Sequence, residues 1–197
     1  MSTPAGRQIG RLRPTRLRAV TDRDALLTQI QDKAVVHGRV VLSSGKEADY
    51  YVDLRRVTLD GEASPLVGSV LLDLTADLDF DAVGGLTLGA DPVATAMLHA
   101  AAARGQRLDS FVVRKAEKQH GLQRRIEGPD VAGRRVLAVE DTSTTGGSVM
   151  TAVDALREAG AEVVAVVVIV DRGARAAIEA QGLPYLAAYE LTDLGLE

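Results

Sequence analysis

The feature that most constrains the fold is an uninterrupted aliphatic run from Val163 to Val170, bounded by Glu162 and Asp171. A strand without a polar face must be covered on both sides, which is typical of a parallel sheet between two layers of helices. Upstream of this run, apolar segments of strand length alternate with segments of helical spacing. The sequence therefore predicts an α/β fold, with a parallel sheet flanked by helices.

The same patterns predict where the individual elements lie. We expect strands at 81–84, 110–113, 135–140 and 162–171, and helices at 64–76, 92–103, 147–159 and 174–180. An earlier helix is predicted to begin at Asp22 and to end at Gly38. Extended stretches at 39–42 and 50–54 then predict a small N-terminal hairpin lobe beside the sheet.

Length and composition favour one domain from residue 21 to residue 197, preceded by a mobile Arg-rich tail at 1–20 that contains no acidic residue. A net charge of −4 argues against general nucleic-acid binding, and no apolar run is long enough to cross a membrane. The absence of Cys excludes disulfides, thiolate metal sites and thiol nucleophiles, and it fits a cytoplasmic location.

The strongest chemical signal follows the predicted strand at 135–140. That strand ends in Glu140 and Asp141, and a loop of small residues leads into a helix: Thr142, Ser143, Thr144, Thr145, Gly146, Gly147 and Ser148. Amide hydrogens, hydroxyls and a helix N-terminus together form an anion cradle, and the glycines let the backbone approach a phosphate. The two acids can accept hydrogen bonds from vicinal sugar hydroxyls and hold water around Mg²⁺, without binding the metal directly.

A second signal is the long connection between the strands at 110–113 and 135–140. It carries a cluster of cations: Arg114, Lys115, Lys118, His120, Arg124 and Arg125. A connection of about 20 residues in a compact domain is usually functional or disordered. Composition alone leaves open whether this segment is a solvated surface loop or a cationic lid over an anionic substrate.

A flat, carboxylated ligand could be recognised by residues from two other segments. Tyr50 and Tyr51 point to opposite faces of a strand, so that one can contact a planar ring while the other packs in the core. Arg172 directly follows the last aliphatic strand, at the edge where ligands of parallel sheets bind, and can pair with a carboxylate through two hydrogen bonds. The alternatives are core packing for both tyrosines, and a strand cap or an Asp171 partner for Arg172.

Two motifs carry a resemblance to a known family. The segment from Glu140 to Ser148 resembles the phosphoribosyl pyrophosphate motif of the type I phosphoribosyltransferases. The segment Arg114-Lys115-Ala116-Glu117-Lys118-Gln119-His120-Gly121 resembles the catalytic loop of orotate phosphoribosyltransferases. This resemblance implies a type I phosphoribosyltransferase fold with an N-terminal hood, Mg²⁺ as cofactor, and transfer of phosphoribosyl to orotate in pyrimidine biosynthesis.

The resemblance also implies roles for residues. The lid residues Arg114, Lys115, Lys118 and His120 would be catalytic and partly supplied by the neighbouring subunit of a homodimer. Phosphoribosyl pyrophosphate would contact the segment from Glu140 to Ser148, and orotate would contact Lys46, Tyr50, Tyr51, Thr144 and Arg172. The chain departs from the family pattern at Ser43, where many members have Lys, and at 84–92, a glycine-rich loop that lacks the Lys some members carry.

Two other functions remain open from the sequence. A purine phosphoribosyltransferase would act on hypoxanthine, guanine or adenine and would need no role for Lys118. A non-catalytic regulator that senses phosphoribosyl pyrophosphate would keep the segment from Thr144 to Ser148 but would need a basic face for RNA or DNA. The histidines His37 and His99 lie in helical patterns, and we expect both to be structural.

Overall fold

The computed structural model of the chain describes residues 21–41, 47–115 and 125–196. The strands are β1 (Val35–Val41), β2 (Glu47–Val52), β3 (Ala82–Leu86), β4 (Asp109–Val113), β5 (Ile126–Glu127), β6 (Arg135–Ser143), β7 (Glu162–Asp171) and β8 (Tyr185–Glu190). The helices are α1 (Asp22–Lys33), α2 (Arg55–Thr58), α3 (Ala63–Leu74), α4 (Ala90–Ala103), α5 (Gly147–Glu158) and α6 (Arg175–Glu179), and a 3₁₀ turn covers Leu191–Leu194. The Arg-rich tail at 1–20 lies outside the described residues.

The central sheet has six strands in the order β5-β4-β3-β6-β7-β8. Its neighbouring strands run parallel, except that β5 pairs antiparallel with β4. Helices cover both faces: Val167 and Ile169 pack with α1, α3 and α4, whereas Val166 and Val168 pack with α5 and α6. The residues from Ala165 to Val170 are completely buried, which confirms the prediction of a strand covered on both sides.

The N-terminal hairpin differs from the prediction in its boundaries. Helix α1 begins after Thr21, whose side chain accepts a hydrogen bond from the Asp24 amide at 3.2 Å, but it ends at Lys33 and not at Gly38. Val35 is already in β1, opposite Val52 of β2. The β-branched side chains of β1 favour this strand pairing over another helical turn. His37 therefore lies exposed on a strand, and its assignment to a helix was wrong.

Strand β6 is longer than predicted. It continues to Ser143, because Thr142 and Ser143 pair with Val170 and Asp171 of β7. Glu140 and Asp141 therefore lie within the strand, and Thr142 and Ser143 are not loop residues as the sequence suggested. Ladder hydrogen bonds outweigh the weak strand propensity of these polar residues.

Four elements of the described residues were not predicted: α2, β5, β8 and the 3₁₀ turn at Leu191–Leu194. Strand β5 shortens the open connection after β4, since the backbone turns back to pair with β4 at Ile126 and Glu127. Strand β8 extends the sheet beyond β7 and supplies Tyr185 and Tyr189 to the buried interior. Within the described ranges, no helix is both long and apolar enough to span a membrane.

Candidate active site

A cleft of about 290 Å³ opens where the carboxyl ends of β3, β6 and β7 meet the N-terminal hairpin. It is lined by the segments 51–55, 86–89 and 140–142, together with Lys115, Ser148 and Arg172. The position agrees with the rule that ligands of parallel sheets bind at the carboxyl ends of the strands. The cleft therefore unites residues that are far apart in the sequence.

The acid pair Glu140 and Asp141 forms the floor of this cleft. Glu140 is only 6% exposed, and one of its oxygens accepts a hydrogen bond from the Asp141 amide at 3.2 Å. Burial, together with the neighbouring Asp141 charge, raises the pKa of Glu140 to about 8. Burial also raises the pKa of Asp141, although a hydrogen bond from the Thr142 amide opposes that change. Two carboxylates confined in this way favour a ligand that brings hydroxyl donors or positive charge.

The loop after β6 has the geometry of an anion cradle. Gly146 adopts a left-handed conformation with φ of 80°, and helix α5 begins immediately after it. Thr144 and Thr145 are exposed beside the first amides of α5, and the Gly147 amide donates to the Thr145 hydroxyl at 3.5 Å. A helix N-terminus with free amides and two hydroxyls suits a phosphate monoester.

Thr142 connects the acid pair to this cradle. The residue lines the cleft, whereas its hydroxyl is buried and has no hydrogen-bond partner among the described residues. Such groups are uncommon in folded proteins, because leaving a buried hydroxyl unpaired is unfavourable.

The glycine-rich loop at 84–92, which begins within β3, forms the wall of the cleft that lies against Glu140 and Asp141. A side chain at Gly89 would overlap Glu140, so that only glycine lets this loop approach the acid pair. Thr87 donates a hydrogen bond to Asp91 at 2.7 Å, and the peptide bond between Thr87 and Leu88 is cis.

Arg172 is placed by a buried carboxylate, that of Asp171. Asp171 accepts hydrogen bonds from the Gly173 and Ala174 amides at 2.9 Å each and from the Tyr185 hydroxyl at 3.0 Å. The Arg172 amide in turn donates to the Ser143 carbonyl at 2.9 Å. The Asp171 carboxylate therefore binds the backbone of the turn and not the Arg172 guanidinium. Arg172 lines the cleft.

Tyr50 and Tyr51 of the hairpin point to opposite faces of β2, as adjacent residues of a strand do. Tyr51 lines the cleft and is 36% exposed, whereas Tyr50 is half-buried and packs against the core on the α1 side. Tyr51 is therefore the member of the pair that a planar ligand can reach. The predicted base contact at Lys46 lies outside the described residues.

Sequence reasoning missed Asp53 and Arg55, which also line the cleft. The Arg55 guanidinium donates to Asp53 at 2.8 Å and to the Tyr51 hydroxyl at 3.4 Å. The Asp53 hydrogen bond raises the pKa of Arg55, and the Asp141 charge also contributes. The signal was present as Asp53-Leu54-Arg55, one residue after the tyrosine pair.

The described part of the cationic connection contributes one side chain to the cleft, that of Lys115. Arg114 is at the base of the connection, where its amide donates to the Arg125 carbonyl at 2.8 Å and its guanidinium lies 3.4 Å from Glu127. Lys118 and His120 lie outside the described residues. Across 21–41, 47–115 and 125–196, no group of three or more His, Asp or Glu residues could hold a metal ion.

Comparisons with known proteins point to one family. Residues 69–180 match the family model of the phosphoribosyl transferase domain. The chain is 76% identical over 178 residues to an orotate phosphoribosyltransferase of Streptomyces avermitilis, covering 89% of this chain and 98% of that protein. An orotate phosphoribosyltransferase of Corynebacterium glutamicum is 60% identical over 179 residues, covering 90% of this chain and 96% of that protein.

Solved structures agree with these relatives. Orotate phosphoribosyltransferase of Mycobacterium tuberculosis H37Rv, in complex with phosphoribosyl diphosphate, superposes with a TM-score of 0.79 at 53% identity, covering 89% of this chain and 100% of that chain. An adenine phosphoribosyltransferase from Thermoanaerobacter pseudethanolicus, at 16% identity and a TM-score of 0.58, covers 83% of this chain and 99% of that chain and shares the fold alone.

Proposed function

Since the chain belongs to the orotate phosphoribosyltransferase family, we propose that its cleft transfers phosphoribosyl from phosphoribosyl pyrophosphate to orotate. The products are orotidine 5′-monophosphate and pyrophosphate, in the biosynthesis of pyrimidines. One observation carries the proposal: a single cleft joins an acid pair, an adjoining phosphate cradle and an arginine at the end of the next strand. A purine base carries no carboxylate for this arginine to pair with, whereas orotate does.

Phosphoribosyl pyrophosphate binds along the carboxyl end of β6. The 5′-phosphate occupies the cradle of Thr144, Thr145, Gly146, Gly147 and Ser148, where the α5 amides and the hydroxyls can donate to it. The vicinal ribose hydroxyls donate to Glu140 and Asp141, which relieves the repulsion between the two buried acids. Thr142 and Ser143, at the end of β6, complete this wall.

Orotate lies between the hairpin and the end of β7. Arg172 pairs with its carboxylate and Tyr51 contacts its ring. Thr144, which is exposed in the cradle but does not line the cleft, is the proposed third contact. Tyr50 points to the other face of β2 and packs against the core, so that it supports the strand that carries Tyr51. Lys46 remains a predicted contact.

The transfer itself needs stabilisation of charge more than a protein nucleophile. When the bond from the anomeric carbon to pyrophosphate breaks, negative charge grows on the leaving group and positive charge on the ribose. Lys115 at the cleft, with Lys118 and His120 farther along the lid, stabilises the departing pyrophosphate, and Arg114 anchors the lid beside Glu127. Closure of the lid excludes water that would hydrolyse the activated sugar.

Mg²⁺ is the cofactor that fits this donor set. The cleft offers the carboxylates of Glu140 and Asp141, which can accept hydrogen bonds from metal-bound water but do not form a full protein-only metal site. When bound, the ion would neutralise the charge of the pyrophosphate. The two acids would hold its water ligands beside the ribose. Removal of divalent cations with a chelator should therefore abolish pyrophosphate release, and added Mg²⁺ should restore it.

The proposed assembly is a homodimer in which the lid of one subunit serves the cleft of the other. Mixing two inactive variants, Lys118→Ala and Asp141→Ala, would produce hybrid dimers with one intact site. Such hybrids should recover about half of the activity of a wild-type dimer. Exchange of subunits without recovery would show that each lid serves its own chain. The cytoplasmic location stays a prediction.

The direct test of function measures pyrophosphate release with orotate, uracil and hypoxanthine in turn. We expect activity with orotate alone, because only orotate carries the carboxylate. Arg172→Ala should cost about 2 to 4 kcal/mol in transition-state stabilisation for orotate. Arg157→Ala, on the exposed face of α5, is the matched control and should retain wild-type activity. Equal rates with orotate and uracil would contradict the proposed role of the carboxylate.

A further inference from the structure

The distribution of charge in the cleft leaves one part of the substrate without an assigned partner. Three acids and three cations line the described cleft: Asp53, Glu140, Asp141, Arg55, Lys115 and Arg172. In the proposed function, Arg172 pairs with orotate and the amides of α5 hold the 5′-phosphate. The diphosphate carries the highest charge density in the substrate, yet only Lys115 has been assigned to it among the described cations.

The glycine-rich wall of the cleft supplies no cation of its own. The glycine-rich loop at 84–92 contains no Lys, Arg or His. Its residues Thr87, Leu88 and Gly89 share the cleft with Arg55 at the start of α2. Backbone amides alone compensate a diphosphate poorly, so that a neighbouring guanidinium is the natural complement.

Arg55 is fixed in position before any ligand binds. The Asp53 carboxylate accepts hydrogen bonds from the Arg55 amide at 3.3 Å and from its Nε at 2.8 Å. The Tyr51 hydroxyl accepts from Nη2 at 3.4 Å. A guanidinium has further N–H donors beyond these, and the Arg55 side chain is 46% exposed, so that the remaining donors can reach a ligand.

We propose that Arg55 is a substrate-binding residue that donates hydrogen bonds to the diphosphate of phosphoribosyl pyrophosphate, with Asp53 and Tyr51 as its positioning residues. The inference rests on the proposed function. Arg55, at the start of α2, would supply the cation that the glycine-rich loop lacks. This role of Arg55 also explains why Asp53 lies in the cleft. An acid beside a polyanion site would otherwise weaken binding, whereas here it positions Arg55.

The neighbouring residue offers a matched control. Arg56 is also exposed on α2 but lies outside the cleft lining. Arg55→Met and Arg56→Met therefore remove the same charge from adjacent positions, and only the first removes it from the cleft. Thermal unfolding of both variants checks that the fold is kept.

In the reverse reaction, the diphosphate enters as a substrate of its own, so that its KM can be measured apart from that of the nucleotide. With orotidine 5′-monophosphate and pyrophosphate as substrates, Arg55→Met should raise KM for pyrophosphate about 10- to 100-fold, the loss expected for a charge-assisted hydrogen bond. KM for orotidine 5′-monophosphate should change less than about twofold. Arg55→Lys should recover part of the pyrophosphate affinity, and Arg56→Met should match wild type.

Two results would overturn the assignment. An unchanged KM for pyrophosphate in a folded Arg55→Met variant would remove Arg55 from the diphosphate site. A rise confined to KM for orotidine 5′-monophosphate would show that Arg55 acts on the base through Tyr51. Failure of the proposed function is distinguishable from both, because the wild-type chain would then show no reaction of orotidine 5′-monophosphate with pyrophosphate.

Discussion

Glu140→Gln should stabilise the substrate-free protein while weakening substrate binding. Glu140 is 6% exposed and its pKa is raised from 4.5 to about 8, first by burial and then by Asp141. The folded chain therefore binds this proton more tightly than the unfolded chain, and the native state loses stability as pH rises from 4.5 toward 8. A glutamine cannot ionise and can donate to Asp141 as the protonated acid does.

The size of the effect follows from the shift in pKa. One pKa unit corresponds to about 1.4 kcal/mol, so that the unfavourable contribution of Glu140 is about 1 kcal/mol at about pH 5 and about 3 kcal/mol at about pH 7. The variant should gain these amounts over wild type. Below the pKa of the unfolded group, wild type and variant should converge, because Glu140 is then neutral in both states.

Urea unfolding followed by circular dichroism, without substrate, measures this difference at the two pH values. Glu62→Gln is the control, since the Glu62 side chain is 84% exposed. Calorimetry above the Glu140 pKa of about 8, where this carboxyl is ionised in the folded protein, should show weaker binding of phosphoribosyl pyrophosphate to Glu140→Gln, because the ribose hydroxyls lose an ionised acceptor. A stability difference between Glu140→Gln and wild type that is the same at both pH values would refute the argument.

Three further substitutions test the framework around the cleft. Gly146→Ala places a Cβ 3.1 Å from Ile178 on a residue with left-handed backbone, and it should lower the free energy of urea unfolding by about 1 to 2 kcal/mol. Calorimetry should also show weaker binding of inorganic phosphate, and an unchanged phosphate affinity would place the anion elsewhere. Tyr185→Phe removes a buried hydrogen bond to Asp171 and should lower the free energy of unfolding by about 1.5 to 3 kcal/mol; a loss under about 0.5 kcal/mol would mean that the two backbone amides suffice. Gly85→Ala would overlap a backbone carbonyl of the adjacent strand and should lower the yield of folded protein, which size-exclusion chromatography can measure; a normal yield would show that β3 and β6 can separate.

Local patterns in the sequence were sufficient for much of the architecture. The aliphatic run from Val163 to Val170 predicted a strand buried on both faces, and β7 has that environment because each of its faces meets a layer of helices. The hairpin boundary was wrong, since the spacing of Leu26 and Ile30 continues in register to Ala34 and only pairing with β2 shows where α1 ends. Strand β8 mixes aromatic, alanine and acidic residues, and its strand conformation depends on its position beside β7.

The sequence by itself determined the part of the site that consists of contiguous residues. Glu140 through Ser148 form one strand-to-helix unit, so that backbone geometry alone brings the acids and the phosphate cradle together. The tertiary structure decided what lies across the cleft from them. Arg55, at the start of α2, reaches the same cleft as this unit, and Tyr185, from a later strand, helps to hold the Arg172 turn by donating to Asp171. Contacts between distant segments depend on packing and burial, which no local pattern of residues encodes.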